Sequence, residues 1–273
     1  MKNRLPSILV GLLFLVGLGI MIYPTVSNQW NTYRQNKLIS NYEKIVDDMS
    51  DEDFSQEWQN AQAFNETISG NNVFADVFGE KSKDSENSEY NRVLNMNNDG
   101  IMGYISIPEI NIKLAIYHGT SDNVLQTGVG HINGSKLPIG GESTHCVLAA
   151  HRGLPSAELF TDIDQLQTGD KFYLHILDKV LAYEVDQIKT VLPSQTDDIE
   201  IVDDEDYVTL VTCTPYSVNT HRLLVRGKRT DYKEAIKKTP NEVNNGIHIP
   251  YEVKLAFLSF IIIGIIIFIW RRR

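Results

Sequence analysis

"VTLVTCTPYSVNTHRLLVRG" (residues 208–227) decides the reading of this chain. A β-branched apolar run ends on Cys213. A turn-rich loop follows, and a second apolar run begins at Arg222. The two runs read as short strands and the Pro-Tyr-Ser-Val-Asn-Thr stretch as the connection between them. A thiol leaving one strand beside a guanidinium returning in the next suggests covalent acyl transfer. A cysteine attacks as the thiolate, which needs a base or cation nearby, and the developing oxyanion needs a donor.

His151 offers the base. It ends the apolar run "CVLAA" (146–150) and opens the Gly153-Leu154-Pro155 turn. All three groups sit at strand ends, where a barrel gathers side chains around one mouth. Taken singly, each has a plainer reading. A cysteine after a strand is usually core, a histidine before Arg-Gly is usually a turn or cap residue, and a strand arginine often lies on a solvated edge. Arg226 lies an even number of residues from Arg222, so both can share a face and spacing alone does not choose between them.

Working outward, short β patterns recur at 103–107, 113–117, 145–150, 171–177, 181–191, 207–212 and 223–228, mostly separated by Gly, Pro, Asn or Asp turns. That spacing favours a closed barrel or a sandwich over alternating βαβ units. Residues 121–127 and 157–166 read as short helices between strands. Upstream, Trp30, Tyr33, Leu38, Tyr42, Ile45 and Met49 recur at helical spacing, as do Phe54, Trp58 and Ala61 after a Ser50…Asp53 helix start. These aromatics are expected to pack onto the main domain. Between Gly70 and Asp99 the composition turns polar, which reads as a long mobile loop or a plain linker.

Both ends are greasier than the middle. Leu5 to Tyr23 carries no charge and follows Lys2 and Arg4; Leu255 to Trp270 precedes Arg271, Arg272 and Arg273. Each is long enough to approach a hydrocarbon core about 30 Å thick. The flanking positive charge places both termini in the cytoplasm and the region from about Ser27 to Pro250 outside. A cleaved signal peptide, with small residues at Thr25-Val26-Ser27, is the competing reading of the first stretch. The domain plan is therefore an anchor at 1–26, a helical region at 27–69, a loop at 70–99, a β domain at 100–229, a tether at 230–251 and a second membrane helix with a basic tail at 252–273.

The net charge of −10 argues against a nucleic-acid partner. Asp197, Asp198, Glu200, Asp203, Asp204, Glu205 and Asp206 concentrate the acidity. A solvated loop is the simple reading; a weak calcium site is the sharper one, though the spacing fits no calcium-loop pattern. The histidines His118, His131, His145, His175, His221 and His248 are too scattered for a metal site, and no cofactor is expected. Cys146 and Cys213 are the two cysteines. A single bridge between them would silence Cys213, but Cys146 within "THCVLAAH" suits a small buried apolar position.

Three segments together resemble class C sortases, the pilus-assembling transpeptidases of Gram-positive surfaces. "TLVTC" (209–213) is similar to the Thr-Leu-x-Thr-Cys segment ending in the nucleophile, and "TPYSVNTHRLLVRG" (214–227) to the stretch carrying the catalytic arginine. "HRGLPSAELFTDIDQL" (151–166) looks like the segment that begins at the catalytic histidine, and "GIMGYISIPEINIKLAIYHGT" (100–120) like the first barrel strands. The resemblance implies a closed sortase-type β-barrel with short helices, Cys213 as nucleophile, His151 as general acid and base, and Arg222 as oxyanion or substrate stabiliser. It implies pilin subunits with Leu-Pro-x-Thr-Gly-type sorting signals as donors and a pilin lysine as acceptor. It also implies an upstream lid that plugs the groove. Asp76-Val77-Phe78 is the nearest match, with Val77 where the family places proline; Phe74 and Phe78 as plain loop anchors is the other reading. A wall-anchoring sortase that uses a peptidoglycan-precursor amine, and a non-catalytic membrane scaffold for pilus assembly, are the alternative functions.

Overall fold

Eight strands close on themselves in the order β1-β2-β3-β4-β7-β8-β6-β5 in this computed structural model, which describes residues 5–68, 76, 78 and 89–233. The strands are β1 (Ile101–Ile107), β2 (Ile112–His118), β3 (Val129–His131), β4 (Thr144–Ala149), β5 (Lys171–Ile176), β6 (Lys179–Val191), β7 (Asp206–Thr214) and β8 (His221–Thr230). Antiparallel neighbours predominate, but β2 runs parallel to β3 and β4 parallel to β7. The mainly β, closed-barrel expectation is met. The three-residue strand β3 was not foreseen, since Val129–His131 is too short to show a period.

The parallel pairing of β4 with β7 explains the apolar runs at 146–150 and 208–213. Every residue of β4 is buried, and so is β7 between its two end residues. Val208 and Leu210 point into the main core with Leu148, Val225, Phe172 and Tyr183, while Val147, Ala149, Val211 and Leu224 form a second apolar cluster on the opposite face. Strands covered on both sides lose the polar half of their alternation and read as continuous apolar runs.

Two helices precede the barrel, α1 (Leu5–Asp47) and α2 (Asp51–Thr67). Within α1, Gly11–Asp47 contains a stretch long and apolar enough, by length and composition, to cross a membrane. The second membrane helix expected at 252–273, with the tether from 234 onward, lies outside the described residues. Gln35, Ile39, Tyr42 and Val46 recur at helical spacing along the buried stripe of α1, which packs on Ile101, Tyr104 and Ala115. Trp30 and Tyr33 fall off that stripe and are 63% and 59% exposed, so the expectation that they pack on the barrel is corrected. Ser50 caps α2 reciprocally: Asp53 N donates to Ser50 Oγ at 3.2 Å and Ser50 N donates to Asp53 Oδ2 at 3.0 Å. Trp58, Ala61 and Phe64 on α2 enter the main core.

A short helix, α3 (Asp122–Thr127), leads into β3. The helix expected at 157–166 is instead a run of turns ending in a single 3-10 turn at Ile163–Gln165. The backbone bonds explain this: Phe160 N donates to His151 O, closing a loop back on the end of β4, and Thr161 N to Glu158 O, closing a tight turn, where helical bonds would run. The acidic stretch is paired with cations: Asp198 with Lys189, Glu205 with Lys228 and Asp206 with Arg229. Among the described residues no cluster fits a metal ion.

Candidate active site

Cys213 and Arg222 are directly opposite one another in the antiparallel β7–β8 ladder, so their side chains share a face. In the parallel β4–β7 ladder Ala149 lies beside Val211. Ala150 N donates to Val211 O at 3.2 Å, one step beyond the end of β4. Carrying that register on sets His151 beside Cys213. The three residues expected to share chemistry thus fall in one row across β7, β8 and the segment that continues β4 past its end.

One ring crosses that row. The Phe78 centroid is 5.5 Å from the His151 ring, and the Arg222 guanidinium carbon is 5.3 Å from the Phe78 centroid. Neighbouring strands are about 4.8 Å apart, so a ring touching both β4's and β8's residues lies over the strand between them. That strand carries Cys213, which is only 5% exposed. Asp76 takes the Arg222 guanidinium by two bonds, from Nε to Oδ1 at 2.8 Å and from Nη2 to Oδ2 at 2.5 Å. Of the segment expected to form a lid, Asp76 and Phe78 are thus brought to the row; Val77 and Phe74 lie outside the described residues.

The face below the row is apolar. Two residues before His151 stands Ala149, two before Cys213 stands Val211, and two after Arg222 stands Leu224. All three belong to the second cluster, with Leu125, Ile132 and Ile199, and Phe78 and Val191 pack against it. A small cavity of about 40 Å³ lies there, lined by residues that include Phe78, Ile132, Val191, Val211 and Leu224. Reading the sequence for chemistry missed this floor; the period-two spacing from each polar residue was the signal that could have found it.

Burial raises the Cys213 thiol above its ordinary value; Arg222 opposes the rise and Asp76 adds to it. Burial lowers the His151 imidazole, and Asp122 on α3 opposes that. In this covered arrangement burial therefore disfavours the charged form of both groups. Burial alone would weaken the charge on Arg222, but the bonds from Asp76 more than restore it. Uncovering Cys213 would remove the main cause of its raised value and leave Arg222 free to favour the thiolate.

The remaining candidates separate cleanly. Arg226 forms a two-pronged pair with Asp186 and its guanidinium carbon lies 4.1 Å from the Tyr207 ring centroid, so its charge is engaged four residues along β8 from Arg222. Cys146 and Cys213 are both free, so the bridge does not form. Cys146 is buried in the main core, where burial pushes its thiol well up. A second arginine, Arg152, lies at the row's edge and was overlooked; its place directly after His151 was the only signal.

Comparison with known proteins gives consistent likenesses. The family described as sortase domain matches residues 105–230. Sortase A of Bacillus anthracis is 30% identical over 129 residues, 46% of this chain and 59% of that protein. Sortase D of Bacillus subtilis is 32% identical over 130 residues, 46% of this chain and 63% of that protein. The chain thus spans about three-fifths of the length of these curated relatives. Among solved structures, sortase C of Streptococcus pneumoniae, described for its catalysis and pilin substrate specificity, is 45% identical with a TM-score of 0.65. It covers 72% of this chain, and 97% of that chain is covered. Sortase C1 of Streptococcus agalactiae is 47% identical with a TM-score of 0.65, covering 76% of this chain and 100% of that one.

Proposed function

This chain belongs to the sortase family, with class C sortases as its structural neighbours, and on that premise we propose that it is a pilin-polymerising cysteine transpeptidase. The observation that carries the reading is the row of His151, Cys213 and Arg222 over an apolar groove floor, covered by Asp76 and Phe78. Cys213 passes its thiol proton to His151 and attacks the Thr–Gly carbonyl of a Leu-Pro-x-Thr-Gly-type signal. Arg222 holds the carbonyl oxygen as charge develops on it, and His151 gives a proton to the departing glycine amine. A thioacyl enzyme remains. A pilin lysine amine then attacks it, His151 accepts the amine proton, and the thiolate leaves as an isopeptide bond forms. The apolar floor suits the Leu-Pro end of the signal. No bound group is needed to balance either step.

Asp76 and Phe78 act as a lid in this reading. It holds the resting thiol covered, and substrate must displace it. The 1–26 anchor and a second anchor at 252–273 confine the catalytic unit, residues 100–229, to the outer membrane surface beside substrates that carry their own membrane segments. The apolar runs at both ends support this. Such confinement raises effective concentration without new contacts.

The test is incubation of the purified chain with a Leu-Pro-x-Thr-Gly peptide, with and without a pilin lysine acceptor, followed by mass spectrometry. Cleavage at Thr–Gly with an amide product supports the reading. A free carboxylate product even with the amine present marks a hydrolase instead, and binding without cleavage marks a scaffold.

A further inference from the structure

The row that joins His151 to Cys213 lies beyond the end of the β4–β7 ladder. Strand β4 stops at Ala149, and the last backbone bond between the two strands is Ala150 N to Val211 O. Among the described residues no further backbone bond joins the two strands past that point. Two side-chain bonds take over, one on each side of the pair. Before it, Thr212 Oγ1 donates to Ala150 O at 2.8 Å. After it, Arg152 Nη1 donates to Thr214 Oγ1 at 3.4 Å.

Arg152 is itself held from behind. Its Nη2 pairs with Asp164, which sits on the Ile163–Gln165 turn. Ile163 anchors that turn in the main core with no exposed surface. The loop between closes through Phe160 N to His151 O at 3.1 Å and Gly153 N to Thr161 Oγ1 at 3.2 Å. The Arg152 guanidinium also faces Tyr216 of the β7–β8 loop, 6.0 Å from its ring centroid. Its Nε is buried and, among the described residues, has no hydrogen-bond partner. A cation with one buried, unmet donor is a poor choice for stability alone. An aliphatic residue of similar length would fill the same space.

We infer that Arg152 is a positioning residue for the acyl transfer. It clasps the loop that begins at His151 to the strand end that carries Cys213, so that the imidazole stays opposite the thiol where the ladder has ended. This rests on the transpeptidase reading above for its chemistry, but its geometry is independent of which substrate is used.

The test uses the full chain, a fluorogenic Leu-Pro-x-Thr-Gly peptide, and iodoacetamide alkylation of Cys213 followed across pH. In Arg152→Gln, kcat falls about tenfold or more with KM held within about twofold, because misplacing a proton-transfer partner costs the chemical step and not binding. The pH profile of alkylation moves as well, since the imidazole no longer reports on the thiol. Arg152→Lys, which keeps a charged donor, recovers part of the loss. Asp164→Asn releases the guanidinium from behind without touching the row, and it lowers kcat severalfold; it decides the matter if Arg152→Gln does not fold. Wild-type kcat and a wild-type alkylation profile in these variants would overturn the inference, as would a change confined to KM. If the unaltered chain does not cleave the peptide, the transpeptidase reading fails on its own, and the alkylation profiles still decide the role of Arg152.

Discussion

Asp76 and Arg222 meet side-on, with Nε and Nη2 of the guanidinium each on a different carboxylate oxygen at 2.8 and 2.5 Å. The other terminal nitrogen of Arg222 donates to Asn219 O and His221 O. Four of the five N–H donors that an arginine has are thereby taken. An arginine so committed has little left for a substrate carbonyl. In the covered state Asp76 competes with the oxyanion that Arg222 is proposed to hold.

Replacing Asp76 with Ala is expected to speed iodoacetamide alkylation of Cys213 at neutral pH by about tenfold, the equivalent of roughly 1.4 kcal/mol. Two effects act in the same direction. Loss of the ion pair loosens the cover, and loss of a carboxylate that raises the thiol increases the thiolate fraction. The pH at which alkylation reaches half its maximum should therefore move down. An alkylation rate and midpoint equal to those of the unaltered chain would show that Asp76 does not guard the thiol.

Phe78→Ala is expected to give a comparable increase by uncovering the same sulfur. The ring touches both His151 and Arg222, so it shares its function with Asp76. Groups that act as one plug are not additive. The double variant should label little faster than the quicker single variant. Multiplication of the two increases would mean that the residues act at separate places.

Cys146 and Cys213 should part completely under labelling. Cys146 lies in the main core, and burial holds its thiol well above its ordinary value. Peptide mapping of the native chain after brief alkylation should find the label on Cys213 alone. Cys213→Ala should abolish acyl transfer and native labelling together while the chain stays folded, because one small side chain at a strand end contributes about 1 kcal/mol to packing. Retained peptide cleavage in that variant would remove Cys213 from the mechanism.

The barrel was largely legible because turn residues mark the ends of its strands and because doubly covered β4 and β7 advertise themselves as unbroken apolar runs. The row of three was less so. Register between strands far apart in sequence, such as Ala149 beside Val211, depends on the parallel pairing of β4 with β7, and nothing local to either segment encodes it. Residues 157–166 misled for a related reason. Leu159, Phe160 and Ile163 have helical spacing, but they are buried by turns that fold back on His151 and Glu158. Trp30 and Tyr33 show the limit of counting aromatics: periodicity proposes a stripe, and only the partner surface decides which part of it is covered.

Gln35 is the joint between α1 and the barrel. Its amide oxygen accepts from Ala115 N at 2.9 Å, and its nitrogen donates to Thr127 O at 2.5 Å, with the side chain buried. Gln35→Ala leaves a buried donor and a buried acceptor unmet. Losing the partner of such groups costs about 1–3 kcal/mol, so the urea midpoint should drop clearly. Gln35→Glu should do less damage at low pH, where a protonated carboxyl can still both donate and accept. A midpoint unchanged in Gln35→Ala would mean that α1 is not docked there in solution.

Two buried histidines and the half-buried His175 should set the acid limit of the fold. Burial holds His131, His145 and His175 down to about 4, against an ordinary value near 6.5. Their contacts fit the neutral ring. His145 Nδ1 faces Glu200 O at 2.6 Å, and since a carbonyl can only accept, that nitrogen carries the proton; Nε2 then accepts from the Thr209 hydroxyl at 2.7 Å. His175 stacks at 4.1 Å on Tyr104, with the positive charge of Lys113 further disfavouring the imidazolium. Because the folded values lie below the unfolded ones, the unfolded chain binds protons first as the pH falls. The stability these groups supply is complete above about pH 6.5 and is lost progressively toward pH 4, on the order of 3 kcal/mol at most for each histidine. Ordinary carboxylates titrate mainly below that window, near 4, so urea midpoints at pH 7.5, 6 and 5 should isolate the histidine contribution. They should fall steadily between pH 6.5 and 5. A midpoint flat to pH 5 would mean that these rings take up their protons as readily in the folded barrel as in the open chain.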